Sequence, residues 1–312
     1  MPENINPITV ELVEEILDRD TDSSPLKDVD YKNINDQSLL LPEWEILNGD
    51  GHQEYKNYDG NKSYVENAFL SPFIESISTI KKLREVRVLY GFTRYFDTTN
   101  IHNMYMGPPQ YNPGYLPGNE VFGEGIFIQF NIDKIKTWCD SQFQSLKQRL
   151  HSMEQRREEL DRNLPYPTPE FVLLHTFSHL LMNQLCFESG YGVSSVREKL
   201  YVNIDKGMMG VLIYTADADS EGALGGLVRM GKEHRLLHSI KAMLESARWC
   251  SADPTCIELG SPGTLGLNKA ACHSCSLISE TSCPYFNSLL DRAMLIGSKD
   301  ENLVGFFEGL KI

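Results

Sequence analysis

The sequence lacks any long apolar run and has few cysteines over its first three quarters. No stretch approaches the roughly 20 apolar residues that a membrane-spanning helix needs. The first residues, MPENINPITVELVEE, have neither the basic start nor the apolar middle of a secretory signal. We therefore expect a cytoplasmic protein without a membrane partner. In that reducing compartment cysteines seldom form structural disulfides, so clustered cysteines indicate metal binding or redox chemistry.

Positive charge is also scarce, with 29 Lys and Arg against 43 Asp and Glu and a net charge of -14. The deficit is local, because residues 1–80 hold 17 acidic and 5 basic residues, a balance of -12. The rest of the chain then has 26 acidic and 24 basic residues. An acidic total does not suggest a nucleic-acid partner, but the nearly balanced remainder leaves room for a basic surface patch.

The composition shifts along the chain divide it into three predicted regions. Residues 1–62 are predicted to form an acidic N-terminal arm with a first helix at roughly 9–18. We expect this arm to become ordered by docking onto the rest of the protein. Residues 63–163 form an α/β region that ends in a charged helix, and the break PYPTPE separates it from residues 164–312. Helical and alternating patterns occur in both larger regions. The sequence therefore predicts a mixed α/β (α+β), helix-rich fold with a structural zinc site in its C-terminal region.

Three stretches give specific helix predictions. The residues AFLSPFIESISTIKKL (68–83) have apolar side chains at helical spacing and predict a helix. In the next region Thr168, Pro169 and Gly190 are typical of the N-cap, the first position and the C-terminal stop of a helix. PYFNSLLDRAMLIG (284–297) predicts the last helix of the chain.

Five of the seven cysteines lie in the last quarter of the chain, and two of them form a C-x-x-C pair. Such a pair turns two thiolates toward one cation, and two more cysteines complete the tetrahedron that structural zinc prefers. A thioredoxin-type redox pair would open a helix after a strand without further cysteines nearby. We therefore predict a closed Zn²⁺ site that does no chemistry on a substrate. Cys250 is expected inside the preceding helix, although it could replace one of the four predicted ligands, Cys256, Cys272, Cys275 and Cys283.

The motif HTFSH places His175 and His179 one helical turn apart, as in the H-E-x-x-H zinc proteases. Thr176 stands where those enzymes need the glutamate that acts as general base. The apolar residues around the motif favour buried histidines with satisfied hydrogen bonds. A second metal site, or a metal-dependent hydrolase that uses both histidines, is the alternative interpretation.

The stretch GLVRMGKE completes the G-x-x-x-x-G-K pattern of a phosphate-binding loop with Gly226, Gly231 and Lys232. Glu233 follows where such a loop needs the Ser or Thr that holds magnesium. A carboxylate at this position would repel phosphate. The motif therefore predicts a tight loop that enters a helix.

A family resemblance rests on several motifs in one order: LREVRVLYGFTRY, VFGEGIFIQF, HTFSHLLMNQL, GVLIYTADADSEGALGGLVRMG and the cysteine block from WCSADPTC to CPYFNSLLDR. They resemble the DISARM phage-defence proteins of the DrmB type, and the C-terminal part is similar to the zinc-binding domain of MrfA-type DNA repair helicases. The resemblance covers roughly residues 65–298.

The resemblance implies a non-catalytic partner of a superfamily 2 helicase that supports DNA binding in a bacterial anti-phage system. Its cysteine pattern carries over onto the four predicted ligands, and Cys250 is matched as well. Members of the DrmB type are roughly twice as long as this chain. A purely structural scaffold subunit, which never contacts DNA, is a further alternative.

Overall fold

The computed structural model describes residues 6–7, 36–49, 58–88, 91–94, 97–103, 118–160, 164–215, 225–258, 266–299, 302–308 and 310. The strands are β1 (Asn6–Pro7), β2 (Asp59–Tyr64), β3 (Ile74–Val88), β4 (Gly91–Arg94), β5 (Asp97–Asn103), β6 (Gly118–Phe130), β7 (Val196–Asn203) and β8 (Met208–Thr215). The helices are α1 (Asp36–Asn48), α2 (Ile132–Ser141), α3 (Phe143–Glu159), α4 (Pro169–Ser189), α5 (Gly226–Met230), α6 (Glu233–Ala247), α7 (Thr255–Glu258) and α8 (Ala293–Ile296).

A six-stranded antiparallel sheet organises the fold, in the order β1-β3-β6-β8-β7 with β2 also paired to β3. Strands β4 and β5 form a separate hairpin. The predicted α+β fold class is confirmed. The central pairing of β6 with β8 joins strands on either side of the predicted boundary at residue 163, as in the pair Ile128 and Val211. The three-region division itself stays a prediction.

Alternate side chains of the central strands enter two different cores, because successive residues of a strand point to opposite faces. Ile126 and Ile128 face the larger core, which includes α4 and α6, whereas Phe127 faces a smaller core on the other side. Trp44 of α1 packs edge-on against Phe127 with ring centroids 5.4 Å apart. Gly210 makes room for the indole, since a Cβ there would lie 2.6 Å from a Trp44 ring carbon.

The acidic N-terminal arm is described only in part, and the predicted helix at 9–18 lies outside the described residues. Helix α1, which the sequence did not predict, docks the arm onto the sheet. Glu43 accepts a hydrogen bond from the Tyr201 hydroxyl at 2.9 Å and pairs with Lys199 at 2.5 Å. Together with the buried Trp44, these contacts fix α1 on the sheet face opposite α4.

The predicted helix at 68–83 is wrong, because residues from Ile74 onward form strand β3. Apolar side chains at 74, 77, 80 and 83 imitate the spacing of a helix. The register of β3 against β6 shifts between Ile74 and Ser76 and again between Ile80 and Leu83. Each such bulge lets two apolar residues three positions apart share a face, so Ile74 and Ile77 face the larger core, and Ile80 and Leu83 face the smaller one, although the segment is extended.

Helix α4 lies at the centre of the larger core and is buried on nearly all sides. Its predicted ends are confirmed: the Thr168 hydroxyl accepts the Phe171 N–H at 3.3 Å, Pro169 occupies the first position, and Gly190 stops the helix with φ 81°. In the part of the chain that the structure describes, no helix is both long and apolar enough to cross a membrane.

The predicted last helix at 284–297 is reduced to the single turn α8. Phe286, Asn287 and Leu289 have positive φ, which a helix does not allow. Asn287 accounts for the difference, because its side-chain amide accepts the Ile278 N–H and donates to the Ile278 carbonyl, both at 2.9 Å. These bonds hold the segment in tight turns that bring Cys283 back to α4.

Candidate metal centres

Cys250, Cys256, Cys272 and Cys275 come together at the end of α6 and form the four-cysteine cluster. The Sγ atoms of Cys250 and Cys272 lie 3.5 Å apart. The Sγ atom of Cys275 lies 3.8 Å from the Sγ atom of Cys256 and 3.8 Å from that of Cys272. A zinc ion with Zn–S bonds of about 2.3 Å separates tetrahedral sulfurs by about 3.8 Å. The residues present therefore fit a structural Zn²⁺, and all seven cysteines are free of disulfides.

Hydrogen-bond donors around the four-cysteine cluster favour the thiolate form of its cysteines, which binds a cation. The Ala252 N–H donates to Cys250 Sγ at 3.4 Å, and Cys275 Sγ receives the Cys272 N–H and the Ser276 hydroxyl, both at 3.3 Å. A hydrogen bond from Cys256, helped by these donors and by Arg292, lowers the pKa of Cys275 to about 5 although burial opposes this. A thiolate is the form that binds metal.

The structure places Cys250 within the cluster and Cys283, the predicted fourth ligand, outside it. The sequence interpretation expected Cys250 inside a helix, but α6 already ends at Ala247. Cys250 lies in the following turn, where its N–H donates to Asp253 at 2.9 Å and its side chain is buried. The turn-forming sequence SADP directly after Cys250 was the available signal.

Cys283 instead joins His175, His179 and Glu198 in a second group, the mixed cluster. His175 and His179 come from successive turns of α4, and Glu198 comes from β7. Cys283 comes from the segment between the four-cysteine cluster and α8. Glu198 Oε1 lies 3.1 Å from His175 Nε2 and 3.0 Å from His179 Nε2. His175 Nε2 lies 3.3 Å from Cys283 Sγ. Both histidines are buried and hydrogen-bonded as predicted, but only His179 is fully satisfied, because His175 Nδ1 has no hydrogen-bond partner among the described residues.

Burial and mutual contact set the protonation of the mixed cluster. Burial lowers the pKa of His175, although Glu198 opposes this shift. Burial also opposes ionisation of Glu198, but the two histidines more than offset it and hold its pKa below the usual range. Burial raises the pKa of Cys283 well above that of a free thiol.

Sequence reasoning missed Glu198 as a partner of the histidines. Val196, Glu198 and Leu200 occupy alternate positions of β7, and all three are buried on the face toward α4. A glutamate at the inward position of an alternating strand needs a polar partner inside the core. That pattern was the signal that could have linked β7 to HTFSH.

The glycine-rich loop before α6 is closed by a side chain of the sheet. Glu124 of β6 is fully buried and accepts the N–H groups of Gly225 at 2.6 Å and Leu227 at 2.8 Å. The Tyr191 hydroxyl donates to the same carboxylate at 2.7 Å. The predicted tight loop is present only in part: Gly226–Met230 form the short helix α5, and the turn at Gly231 and Lys232 leads into α6, which begins at Glu233.

Comparison with known proteins agrees with the motifs. The family described as the MrfA Zn-binding domain matches residues 177–276, a range that contains the whole four-cysteine cluster and stops before Cys283. The chain is 37% identical over 253 residues to DISARM protein DrmB of Bacillus paralicheniformis, which covers 77% of this chain and 44% of that protein. It therefore spans less than half the length of that relative. Both the resemblance and the zinc cofactor are confirmed: the chain carries an MrfA-type zinc-binding domain and is a relative of DISARM protein DrmB.

Proposed function

We propose that the chain is a non-catalytic, zinc-stabilised subunit of a bacterial anti-phage defence system that associates with a superfamily 2 helicase and supports DNA binding. The similarity to DISARM protein DrmB over 253 residues is the observation that carries this proposal. In this proposal Zn²⁺ is held by Cys250, Cys256, Cys272 and Cys275. Four sulfur ligands leave no open position for a substrate, so the ion stabilises the fold.

A metal-dependent hydrolase that uses His175 and His179 has less support. Both side chains are fully buried, so a substrate has no path to them in this conformation. Thr176, at the position of the missing general base, donates to the Val172 carbonyl at 2.7 Å and accepts the Asp291 N–H at 2.9 Å. These contacts give Thr176 a packing role.

The exposed side of α6 supports a role in DNA binding. Arg229 of α5 is exposed, as are Lys232 and Arg235 at the beginning of α6, and no described residue forms a salt bridge with any of them. Arg248 is exposed at the other end, and Trp249 beside it is 71% exposed. Of the two acids in α6, Glu233 accepts the Asn67 N–H at 2.7 Å, whereas Glu245 is exposed.

We call the five exposed residues Arg229, Lys232, Arg235, Arg248 and Trp249 the basic face. Their guanidinium and ammonium groups suit phosphates, and the indole suits stacking on an unpaired base. Helix α6 has 15 residues and is about 22 Å long, so the face could follow several nucleotides. This face is the proposed DNA contact surface, and the net charge of the chain does not argue against it.

The DNA proposal is tested by fluorescence anisotropy at several salt concentrations. The double variant K232E/R235E should lose at least tenfold in affinity, and the slope of log affinity against log salt should fall by about 2. The matched control K136E/K147E reverses two exposed lysines on α2 and α3 and should bind like the wild type. Equal affinity of the two variants would contradict the basic face. A wild-type chain that binds no DNA, alone or with the helicase, would favour the structural scaffold.

The helicase proposal is tested by co-expression with a superfamily 2 helicase encoded next to this chain, followed by size-exclusion chromatography. Co-elution is the expected result, and separate elution would contradict this part of the proposal. The acidic arm is proposed either to bind a basic surface of the helicase or to cover the DNA site. Removal of residues 1–35 spares the docked helix α1 and should change complex formation or DNA affinity. No change in either measurement would exclude both roles of the arm.

A further inference from the structure

The mixed cluster is a compact set of metal-binding atoms that the four-cysteine cluster does not use. His175 and His179 are 0% exposed, Cys283 is 2% exposed and Glu198 is 3% exposed. One ligand atom from each of the four residues lies within 4.8 Å of the others. Zinc with bonds to nitrogen and oxygen of about 2.0–2.1 Å places tetrahedral ligand atoms about 3.3 Å apart. The nitrogen–oxygen contacts of 3.0 and 3.1 Å in this cluster are close to that spacing.

The partners of His179 decide which of its ring atoms carries the proton. Nδ1 lies 3.0 Å from the Ser276 carbonyl, which only accepts, so Nδ1 must be the donor. In a neutral ring Nε2 then has a lone pair, and this lone pair faces Glu198 Oε1 at 3.0 Å. Two acceptors at this distance repel each other unless a proton or a metal ion lies between them.

Glu198 is short of partners on its other oxygen. Its Oε1 is shared between His175 and His179, whereas the buried Oε2 has no hydrogen-bond partner among the described residues. A buried carboxylate oxygen without a donor is costly in a water-free interior. A cation bound by the carboxylate would compensate both the repulsion at Oε1 and the missing donor at Oε2.

From this geometry we propose that His175, His179, Glu198 and Cys283 form a second metal site for Zn²⁺. Two imidazole nitrogens, one carboxylate oxygen and one thiolate are ligand types that zinc accepts in a tetrahedron. Two of the ligands have the outer contacts typical of zinc sites, whereas His175 Nδ1 has no hydrogen-bond partner among the described residues. The Ser276 carbonyl fixes the His179 ring, and the Asn287 N–H donates to Cys283 Sγ at 3.4 Å. Binding releases the thiol proton of Cys283 to solvent.

The proposed ion links three parts of the fold. Two ligands come from α4, one from β7 and one from the segment that follows the four-cysteine cluster. Four protein ligands in a buried site leave no position for a substrate, so this zinc has a structural role. The inference does not depend on the proposed function, because it concerns only metal content and ligation.

The decisive measurement uses the wild-type full chain, purified with Zn²⁺ present and freed of loosely bound metal. Two zinc ions per chain are expected. Zinc X-ray absorption should then report an average of two and a half sulfur and one and a half nitrogen or oxygen ligands per ion, from five sulfurs, two nitrogens and one oxygen. One zinc per chain with four sulfur ligands would overturn the proposal, and this readout does not depend on any variant.

Two substitutions localise the second ion. C283S and H179Q should each lower the zinc content from two ions to one, and the remaining ion should show four sulfur ligands. C186S is the matched control, because Cys186 is buried in the same helix as the two histidines but belongs to neither cluster. It should keep two zinc ions. Variants C283S and H179Q that fold and retain the wild-type zinc content would also overturn the proposal.

Discussion

The four-cysteine cluster and the mixed cluster differ in exposure and in the charge that a zinc ion would leave. Cys272 and Cys275 are partly exposed, whereas the mixed cluster is buried throughout. A dication with four thiolates has a net charge of -2. With two neutral histidines, one carboxylate and one thiolate the net charge is zero. Because an uncompensated charge is costly in the interior, each cluster lies where its charge is tolerated.

Arg292 compensates part of the charge at the four-cysteine cluster. Its guanidinium is buried, donates to the Ala247 carbonyl at 2.7 Å and pairs with Asp253. It also lies close enough to Cys256 and Cys275 to interact electrostatically with both. No described cation takes this place beside the mixed cluster, whose neutral ligand set does not need one.

Zinc removal should have the largest effect on the free energy of unfolding, and the two clusters should lose their ions at different rates. A strong chelator should empty the partly exposed four-cysteine cluster first and the buried mixed cluster later. Complete removal should lower the free energy of unfolding by more than about 4 kcal/mol, because a structural ion stabilises only the folded state. Urea unfolding with parallel zinc analysis measures both effects. An unchanged unfolding midpoint in the metal-free chain would contradict a structural role for either cluster.

Asp291 contacts residues close to both clusters, so its substitution should have the next largest effect on the free energy of unfolding. Its carboxylate pairs with the buried Arg149 at 2.5 and 2.9 Å and accepts the Ala270 N–H at 3.3 Å. D291N removes the negative charge that pairs with the buried Arg149 guanidinium and should cost about 3–5 kcal/mol. The exposed control D205N should change the free energy of unfolding by less than about 0.5 kcal/mol. A similar loss in both variants would argue against the buried pair.

Arg292 tests the charge difference between the clusters directly. R292M removes the compensating cation and should weaken zinc binding at the four-cysteine cluster about 10- to 100-fold, by analogy with other outer contacts of metal ligands. Zinc at the mixed cluster should be retained with its affinity unchanged. Competition with a chromophoric chelator measures the affinities, and R248M, on the exposed surface, is the control. Equal weakening at both clusters would show that the effect is general destabilisation.

Trp249 should give the smallest effect on the fold although it lies next to Cys250. Because its indole is 71% exposed, W249A should change the free energy of unfolding by less than about 0.5 kcal/mol and leave the zinc content unchanged. If Trp249 stacks on a base, DNA affinity should fall roughly tenfold in the same variant. A marked loss of stability would mean that the Trp249 side chain packs against the four-cysteine cluster.

Local sequence signals predicted the parts of the fold that local chemistry decides. The capping residues of α4 were predicted correctly, and the C-x-x-C pair does lie in one cluster of cysteines, because each depends on neighbours within a few positions. The assignment of β3 failed because its two bulges depend on pairing with β6, which the sequence of β3 alone does not contain. The last helix failed because Asn287 bonds to Ile278, a choice that helix propensity does not capture.

The candidate sites follow the same rule. Cysteine spacing predicted a four-ligand centre, but the choice between Cys250 and Cys283 depended on where α6 ends and how the last segment turns back. The partnership of His175 and His179 with Glu198 joins residues about twenty positions apart. It could be found only through the inward face of β7, because no local motif connects a helix to the strand beneath it.

Because the glycine-rich loop binds the Glu124 carboxylate, its role differs from the phosphate binding that its sequence suggests. A loop of backbone N–H groups attracts an anion, and here the anion is part of the protein itself. The same donors cannot also hold a nucleotide phosphate while β6 keeps Glu124 in place. A motif that resembles a site for ATP therefore joins the sheet to the start of α5 through hydrogen bonds within the protein.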